Sequence, residues 1–185
     1  MGNMAVLIEA ISIIIRRETI DKKYPGGWNA FVENTPNQTL CADDKIARLG
    51  FMSPFDVESF IKGLEKIGFK YVVNGQASEV AVIDQIKGFM TPCDWLDAGH
   101  VKIDNGKYEV AACKFKGCLS KFIIYPNGWE YNKSLSREYG FIPSGHLEKS
   151  LEYLRHENGS DVYFNKLTDG EVYIGRTGEM IKQIK

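Results

Sequence analysis

The sequence predicts an α+β fold in which two main amphipathic helices pack on a mostly antiparallel sheet. Three observations predict it: a β-branched apolar run near the start of the chain, two helical stripes, and a series of short strands joined by Asn-Gly and Asp-Gly turns. Helices and groups of strands follow one another without the regular strand–helix–strand alternation of a parallel sheet. That order argues against a doubly wound fold.

The first predicted element is a strand over residues 6–15. Nearly every residue in it is apolar and most are β-branched, which is typical of a strand buried on both faces. Glu9 interrupts the run, and a carboxylate in such surroundings must find a partner. Because paired and desolvated carboxylates concentrate at functional sites, Glu9 is a candidate catalytic residue. Structural pairing with Arg16, Arg17 or Arg48 is the favoured interpretation.

Helices are predicted at three places in the first half of the chain. Two short helices cover residues 18–23, ending before Pro25, and residues 28–32. The strongest pattern begins at Ser53, a good N-cap, with a proline at the first helical position. Apolar residues then recur at helical spacing as far as residue 67, which predicts an amphipathic helix packed on the sheet.

The remaining predicted elements are hairpins and a second amphipathic helix. A helix is predicted over residues 144–157 from the spacing of Leu147, Leu151 and Leu154. Asn-Gly and Asp-Gly pairs accept the positive φ angles of tight turns and therefore mark connections between strands. The predicted strands span residues 70–73 and 79–87 around Asn74-Gly75, 101–104 and 107–115 around Asn105-Gly106, 119–125, and 161–165 and 171–176 around Asp169-Gly170.

The pattern Tyr-Pro-x-Gly-Trp occurs twice, at residues 24–28 and 125–129. Each copy precedes a Gly-Phe pair and an amphipathic stripe, which indicates two related α+β units, residues 1–92 and 93–185, packed together. The predicted boundary falls at residues 91–95, where the periodicity breaks. One continuous domain is the alternative organisation, since Pro-x-Gly is also ordinary turn chemistry with an aromatic anchor.

Composition argues against several classes of partner. With a formal net charge of −1 and a pI near 6.3, no overall field attracts nucleic acid or an anionic membrane surface. The apolar run near the N-terminus is too short to span a bilayer and lacks the preceding basic residues of a signal peptide. We therefore expect a soluble, cytoplasmic protein with its four cysteines reduced. The oligomeric state stays open.

Signatures of catalysis, cofactor binding and metal binding are missing from the sequence. It contains no glycine-rich phosphate loop, no Cys-x-x-Cys and no zinc-protease motif, so we expect neither a cofactor nor a metal. Cys93 and His100 lie seven residues apart in a stretch that contains two aspartates, which makes them weak candidates for a nucleophile and its base. Such partners meet in space rather than in sequence, so a structural role is the stronger interpretation of each.

Turn aromatics and an acidic segment supply the candidate binding residues. Trp28, Trp95 and Trp129 lie in or beside predicted turns, where exposed aromatics make good anchors for recognition. Asp43 and Asp44 lie in an acidic segment that only the first predicted unit carries. An Asp-rich turn and buried aromatics are the structural alternatives, and they are the favoured interpretations.

Two functional hypotheses follow. The first is a non-enzymatic module, of the inhibitor or immunity type, that binds another protein through an exposed aromatic and acidic patch. The second is an enzyme or small-molecule binder with a pocket between the two units, near Glu9, Cys93 and His100.

Overall fold

The computed structural model describes residues 3–139, 151–157, 160–165 and 170–175. Its mixture of helices and sheets confirms the predicted α+β class. In chain order the elements are β1 (Ala5–Ile8), β2 (Ile11–Arg16), α1 (Arg17–Lys23), α2 (Gly27–Glu33), β3 (Cys41–Ala42), β4 (Ile46–Phe51), α3 (Pro54–Lys66), β5 (Val72–Val73), β6 (Gln76–Ala77), β7 (Val80–Asp84), β8 (Gly88–Phe89), β9 (Leu96–Ile103), β10 (Tyr108–Phe115), β11 (Ile123–Ile124), a 3-10 turn (Tyr131–Lys133), α4 (Leu135–Tyr139), β12 (Leu151–Glu157), β13 (Ser160–Asn165) and β14 (Gly170–Gly175).

The long strand predicted at the start of the chain is broken in two. Ala10 has a φ of 50°, a left-handed conformation that a strand cannot contain. Ser12 supports the break, because its Oγ accepts a bond from the N–H of Glu9 and donates one to the carbonyl of Glu9. β1 and β2 therefore belong to different sheets.

The strands pair almost entirely in antiparallel fashion, as predicted. One sheet has five strands in the order β3-β4-β2-β7-β8, and the other has four in the order β11-β1-β10-β9. β5 pairs with β6, and β12, β13 and β14 form a separate sheet. Among the described strands only β1 and β11 run parallel to each other.

The core is arranged in layers on either side of the five-stranded sheet. On β2, the side chains of Ile11, Ile13 and Ile15 pack with residues of α1, α2 and α3. Ile14 points the other way and packs with residues of the four-stranded sheet. Because successive side chains of a strand point to opposite faces, the isoleucines of β2 contribute to the apolar core on each side of the sheet.

Helix α3 confirms the strongest local prediction. Ser53 Oγ accepts a hydrogen bond from the N–H of Phe55, and the helix begins at the predicted proline. Val57, Ile61 and Leu64 are buried on the side that faces the sheet. In the first half the patterns missed β4, whose six residues are all buried between β3 and β2.

The second predicted helix is wrong over residues 151–157, where the chain forms β12. The apolar residues of this segment fit both the alternation of a strand and the spacing of a helix. Pairing with β13 along its length favours the strand. Tyr153 contacts Tyr163 across the two strands with ring centroids 5.5 Å apart. Residues 144–150 of that helix and the polar segment 177–185 lie outside the described residues.

The structure does not confirm the internal repeat. Trp28 lies within α2 and packs in the core under the helices, whereas Trp129 lies in a turn and packs against the core between the two sheets. β1, from the first predicted unit, pairs with β10 and β11 from the second. The two predicted units therefore share one sheet.

Within the described parts of the chain, every helix is too short or too polar to cross a membrane.

Candidate functional site

Glu9 is buried at the point where β1 ends. Its carboxylate accepts hydrogen bonds from Nε1 of Trp129 at 2.9 Å and from Oγ of Ser136 at 2.6 Å. The backbone N–H of Ser136 donates a third bond to the same carboxylate. Bonds to a charged acceptor are stronger than neutral ones, so these three fasten residues 129–136 to the first strand.

Gln85 extends the same network. Its Oε1 accepts a hydrogen bond from the N–H of Ala10 at 2.8 Å, and its Nε2 donates to the carbonyl of Ser136 at 3.5 Å. The side chains of Glu9 and Gln85 thus both connect the break between β1 and β2 to the segment around Ser136. With its partners in place, the Glu9 carboxylate serves as a buried structural acceptor, and this geometry favours the structural interpretation over the catalytic one.

Arg48 lies next to this network and is only 1% exposed. It was one of three arginines expected to pair with Glu9, but its Nη2 donates to the backbone carbonyl of Glu9, at 3.2 Å. Its Nε donates to Oγ of Ser12 at 3.0 Å and its Nη1 to the carbonyl of Thr39 at 3.1 Å. The guanidinium therefore joins β4, the strand break and the segment before β3.

Cys93 and His100 show no sign of an activated nucleophile and base. Partial burial raises the pKa of the Cys93 thiol, so the group is protonated at neutral pH. Partial burial also lowers the pKa of His100, although nearby Glu109 opposes that shift. The charged groups that act on Cys93 are Asp94 and Arg16, whereas the one that acts on His100 is Glu109. The two side chains therefore lie in different surroundings.

The three candidate tryptophans stabilise the packing of the elements around them. Trp95 is buried and its Nε1 donates to the carbonyl of Ala77 at 3.0 Å, so the expectation of an exposed anchor is wrong for this residue. Trp28 is half-buried, with the guanidinium of Arg17 3.4 Å from its ring centroid. Trp129 is also half-buried and binds Glu9.

The two candidate aspartates differ in exposure. Asp43 is buried because its Oδ1 accepts bonds from the N–H groups of Lys45 and Ile46 and its Oδ2 accepts one from the N–H of Met4. This is the Asp-containing turn that was the structural alternative, and the expected exposure is wrong for Asp43. Asp44 is exposed. A binding role for either residue stays a prediction.

A cleft of about 360 Å³ lies on the outer face of the four-stranded sheet. Its floor consists of small residues, since Ala112 on β10 lies directly opposite Gly99 on β9 and Ala5 lies on β1. Residues opposite one another on paired strands project from the same face, so the absence of large side chains at these positions produces the hollow. His100 also lines this cleft.

A loop of basic and apolar residues, 116–122, borders the cleft. Leu119 is 93% exposed and Phe122 is 75% exposed, and between them Ser120 and Lys121 line the cleft. Lys114, on the strand before the loop, also lines it and lies opposite Asp97. The cleft thus has two lysines and one aspartate among its lining residues, and the loop beside it carries two exposed apolar side chains.

Sequence reasoning did not identify this loop as a site. Residues 119–125 were predicted to be a strand, but only Ile123 and Ile124 pair with β1. The available signal was charge: residues 110–129 contain three lysines and no acidic residue. Leu119 and Phe122 lie among those lysines, and only the structure shows that these two side chains are exposed.

In the portions of the chain that the structure covers, no group of three or more His, Cys, Asp and Glu side chains is placed to hold a metal ion. Comparison of the chain with protein-family models, with curated proteins and with solved structures found no match. The functional conclusion therefore depends on the geometry of this chain alone.

Proposed function

We propose that this protein is a non-enzymatic module that binds another protein, in the manner of an inhibitor or an immunity protein. The observation that carries the proposal is the exposure of Leu119 and Phe122, at 93% and 75%, beside a cleft. Burying such a side chain is worth about 1.5–3 kcal/mol, so a partner that covers both gains substantial affinity. Apolar residues exposed singly are ordinary, whereas apolar patches bordered by polar residues mark interaction sites, and here two strongly exposed apolar side chains share one loop beside a cleft.

The state of the candidate catalytic groups supports the same proposal. The carboxylate of Glu9 is engaged by Trp129 and Ser136, and Cys93 carries a raised pKa that disfavours the thiolate. A nucleophilic mechanism needs an activated thiol or hydroxyl with a base in reach. The binding hypothesis has no such requirement.

A small-molecule binder is the second candidate, because the cleft joins Ala5 from the first predicted unit to residues of the second, including His100. Its volume of about 360 Å³ lies within the range of ligand pockets. The exposed apolar pair in the adjoining loop favours a protein partner, since a ligand inside the cleft leaves Leu119 and Phe122 in water.

The test is affinity capture from an extract of the source cells with three versions of the protein as bait. The first is the wild type and the second is the double variant Leu119→Ser/Phe122→Ser. The third is a matched control, Val72→Ser/Val73→Ser, which removes two other exposed apolar side chains, 46% and 41% exposed, from the β5–β6 hairpin.

The proposal predicts a stoichiometric protein complex, detected by native mass spectrometry, with the wild type and the hairpin control. The loop variant should lose that complex while keeping its circular dichroism spectrum and unfolding midpoint. Capture that is equal for all three baits, or a wild-type protein that retains a small molecule and no protein, contradicts the proposal.

A further inference from the structure

We infer that the cleft and the loop 116–122 together accept a partner segment that is acidic and carries a large apolar side chain. This inference rests on the proposed protein-binding function and specifies the chemistry of the partner. It combines three features: a floor of small residues, two lysines against one aspartate among the lining residues, and two exposed apolar side chains in the adjoining loop.

The floor determines where an apolar side chain fits. Gly99 is exposed on β9, the end strand of its sheet in the described structure, and a Cβ built on it meets no atom within 4 Å. Its neighbour Ala112 fills little of the space above β10. A hollow with glycine and alanine at its floor has room for a side chain of leucine or phenylalanine size, and the loop beside it offers two exposed apolar side chains, Leu119 and Phe122.

The wall determines the charge of the partner. Lys114 and Lys121 line the cleft and Lys116 is exposed in the loop beside it. Among the lining residues, Asp97 is the one carboxylate against the two lysines. The whole chain has a net charge of −1, so this positive surface is local, and opposite charge on a partner both speeds association and selects the binding register.

The shape of the surface favours a polypeptide over an anionic bilayer. Lysines beside exposed Leu119 and Phe122 also suit a membrane surface, where apolar side chains insert and cations contact headgroups. A bilayer, however, contacts protruding groups and leaves a concave floor empty. Of these two partners, a polypeptide is the one that can fill the cleft beside the loop, with a side chain or a segment.

The experiment is a selection from a displayed library of random twelve-residue peptides, with the intact protein as bait. We expect the wild type to enrich peptides that combine Asp or Glu with Leu, Phe or Trp. Gly99→Leu fills the floor and should weaken the selected peptides at least tenfold in direct binding. Gly63→Leu is the matched control, because Gly63 lies in α3 and likewise has no atom within 4 Å of an added Cβ.

Charge is tested separately with Lys114→Glu/Lys121→Glu. This variant should lower peptide affinity about tenfold or more and reverse its dependence on salt, because salt weakens the attraction in the wild type and the repulsion in the variant. Lys66→Glu/Lys70→Glu changes the net charge of the protein equally at exposed positions elsewhere and should leave binding unchanged. A parallel arm measures sedimentation of the wild type with phosphatidylserine-containing vesicles.

Each outcome separates this inference from the function on which it rests. Enrichment of neutral or basic peptides, no enrichment, or equal binding by Gly99→Leu overturns the inference. Vesicle binding that the lysine variant loses overturns it as well, in favour of a membrane surface. The proposed function is tested by a different measurement, the cellular capture experiment, and fails when capture is indifferent to Leu119 and Phe122 or when the wild type retains a small molecule and no protein.

Discussion

Replacing Glu9 with glutamine tests the buried network directly. The variant keeps one side-chain oxygen as an acceptor for Trp129 Nε1, but an amide NH₂ takes the place of the oxygen that binds Ser136. The hydroxyl of Ser136 can rotate and accept from the new amide. Its backbone N–H cannot, because it then points at another donor in a buried site.

The magnitude follows from these contacts. One bond to a charged acceptor is lost, worth about 1.5–3 kcal/mol, and a buried N–H is left unsatisfied, which has a similar cost, although the two terms overlap. We expect Glu9→Gln to lower the free energy of unfolding by about 2–4 kcal/mol. For a chain of 185 residues that corresponds to a fall in Tm of about 4–16 °C.

Urea denaturation followed by circular dichroism measures the change in stability, and hydrogen exchange locates it. Protection should fall most in residues 129–136, which the carboxylate fastens to β1. Glu18→Gln is the matched control, since Glu18 lies on the surface 3.5 Å from Lys22 and such pairs contribute little. A free energy of unfolding within about 0.5 kcal/mol of the wild type for Glu9→Gln refutes the reasoning.

Three further predictions concern single groups. Gly50→Ala should destabilise the fold by about 1–3 kcal/mol in a denaturation experiment, because an added Cβ overlaps Nη2 of the buried Arg48, whereas Gly99→Ala, with open space, should be neutral; equal effects contradict the packing argument. Burial raises the pKa of Asp84, so the folded state disfavours its charge and this residue reduces stability as pH rises from the unfolded pKa through the folded one. Asp84→Asn should therefore be more stable than the wild type at pH 8 with the difference vanishing near pH 3, and an opposite trend refutes the assignment. Iodoacetamide should modify Cys93 slowly at pH 7, with a rate that rises toward pH 9 and above, because burial raises the thiol pKa; rapid modification at pH 7 contradicts this.

Local signals predicted the parts of the fold that local interactions determine. Helix α3 follows from Ser53, the proline after it and one apolar stripe, all within fourteen residues. The same kind of signal failed at β12, where a stripe of leucines is compatible with a helix and pairing with β13 decides for a strand. Local sequence preference predicts secondary structure poorly where a segment can pair with a strand that is distant in sequence.

The candidate site could not be assembled from sequence because its contacts are remote. Trp129 and Ser136 lie 120 and 127 residues from Glu9, and the sequence contains no pattern that joins them. The oddity of a carboxylate in an apolar run did identify Glu9 as a buried group in need of partners. The exposure of Leu119 and Phe122 depends on how the folded chain packs around them. The alternation of apolar residues and the distribution of charge along the sequence therefore did not predict it.

The break at Ala10 has a consequence for the order in which the protein is made. Strands β2, β3, β4, β7 and β8 come from residues 11–89, so the five-stranded sheet can form while the rest of the chain is still being synthesised. β1 is synthesised before this sheet, yet its partners β10 and β11 are complete only at residue 124. During that interval β1 is an apolar strand with both edges unpaired, which exposes it to pairing with other chains until its own partners have been made.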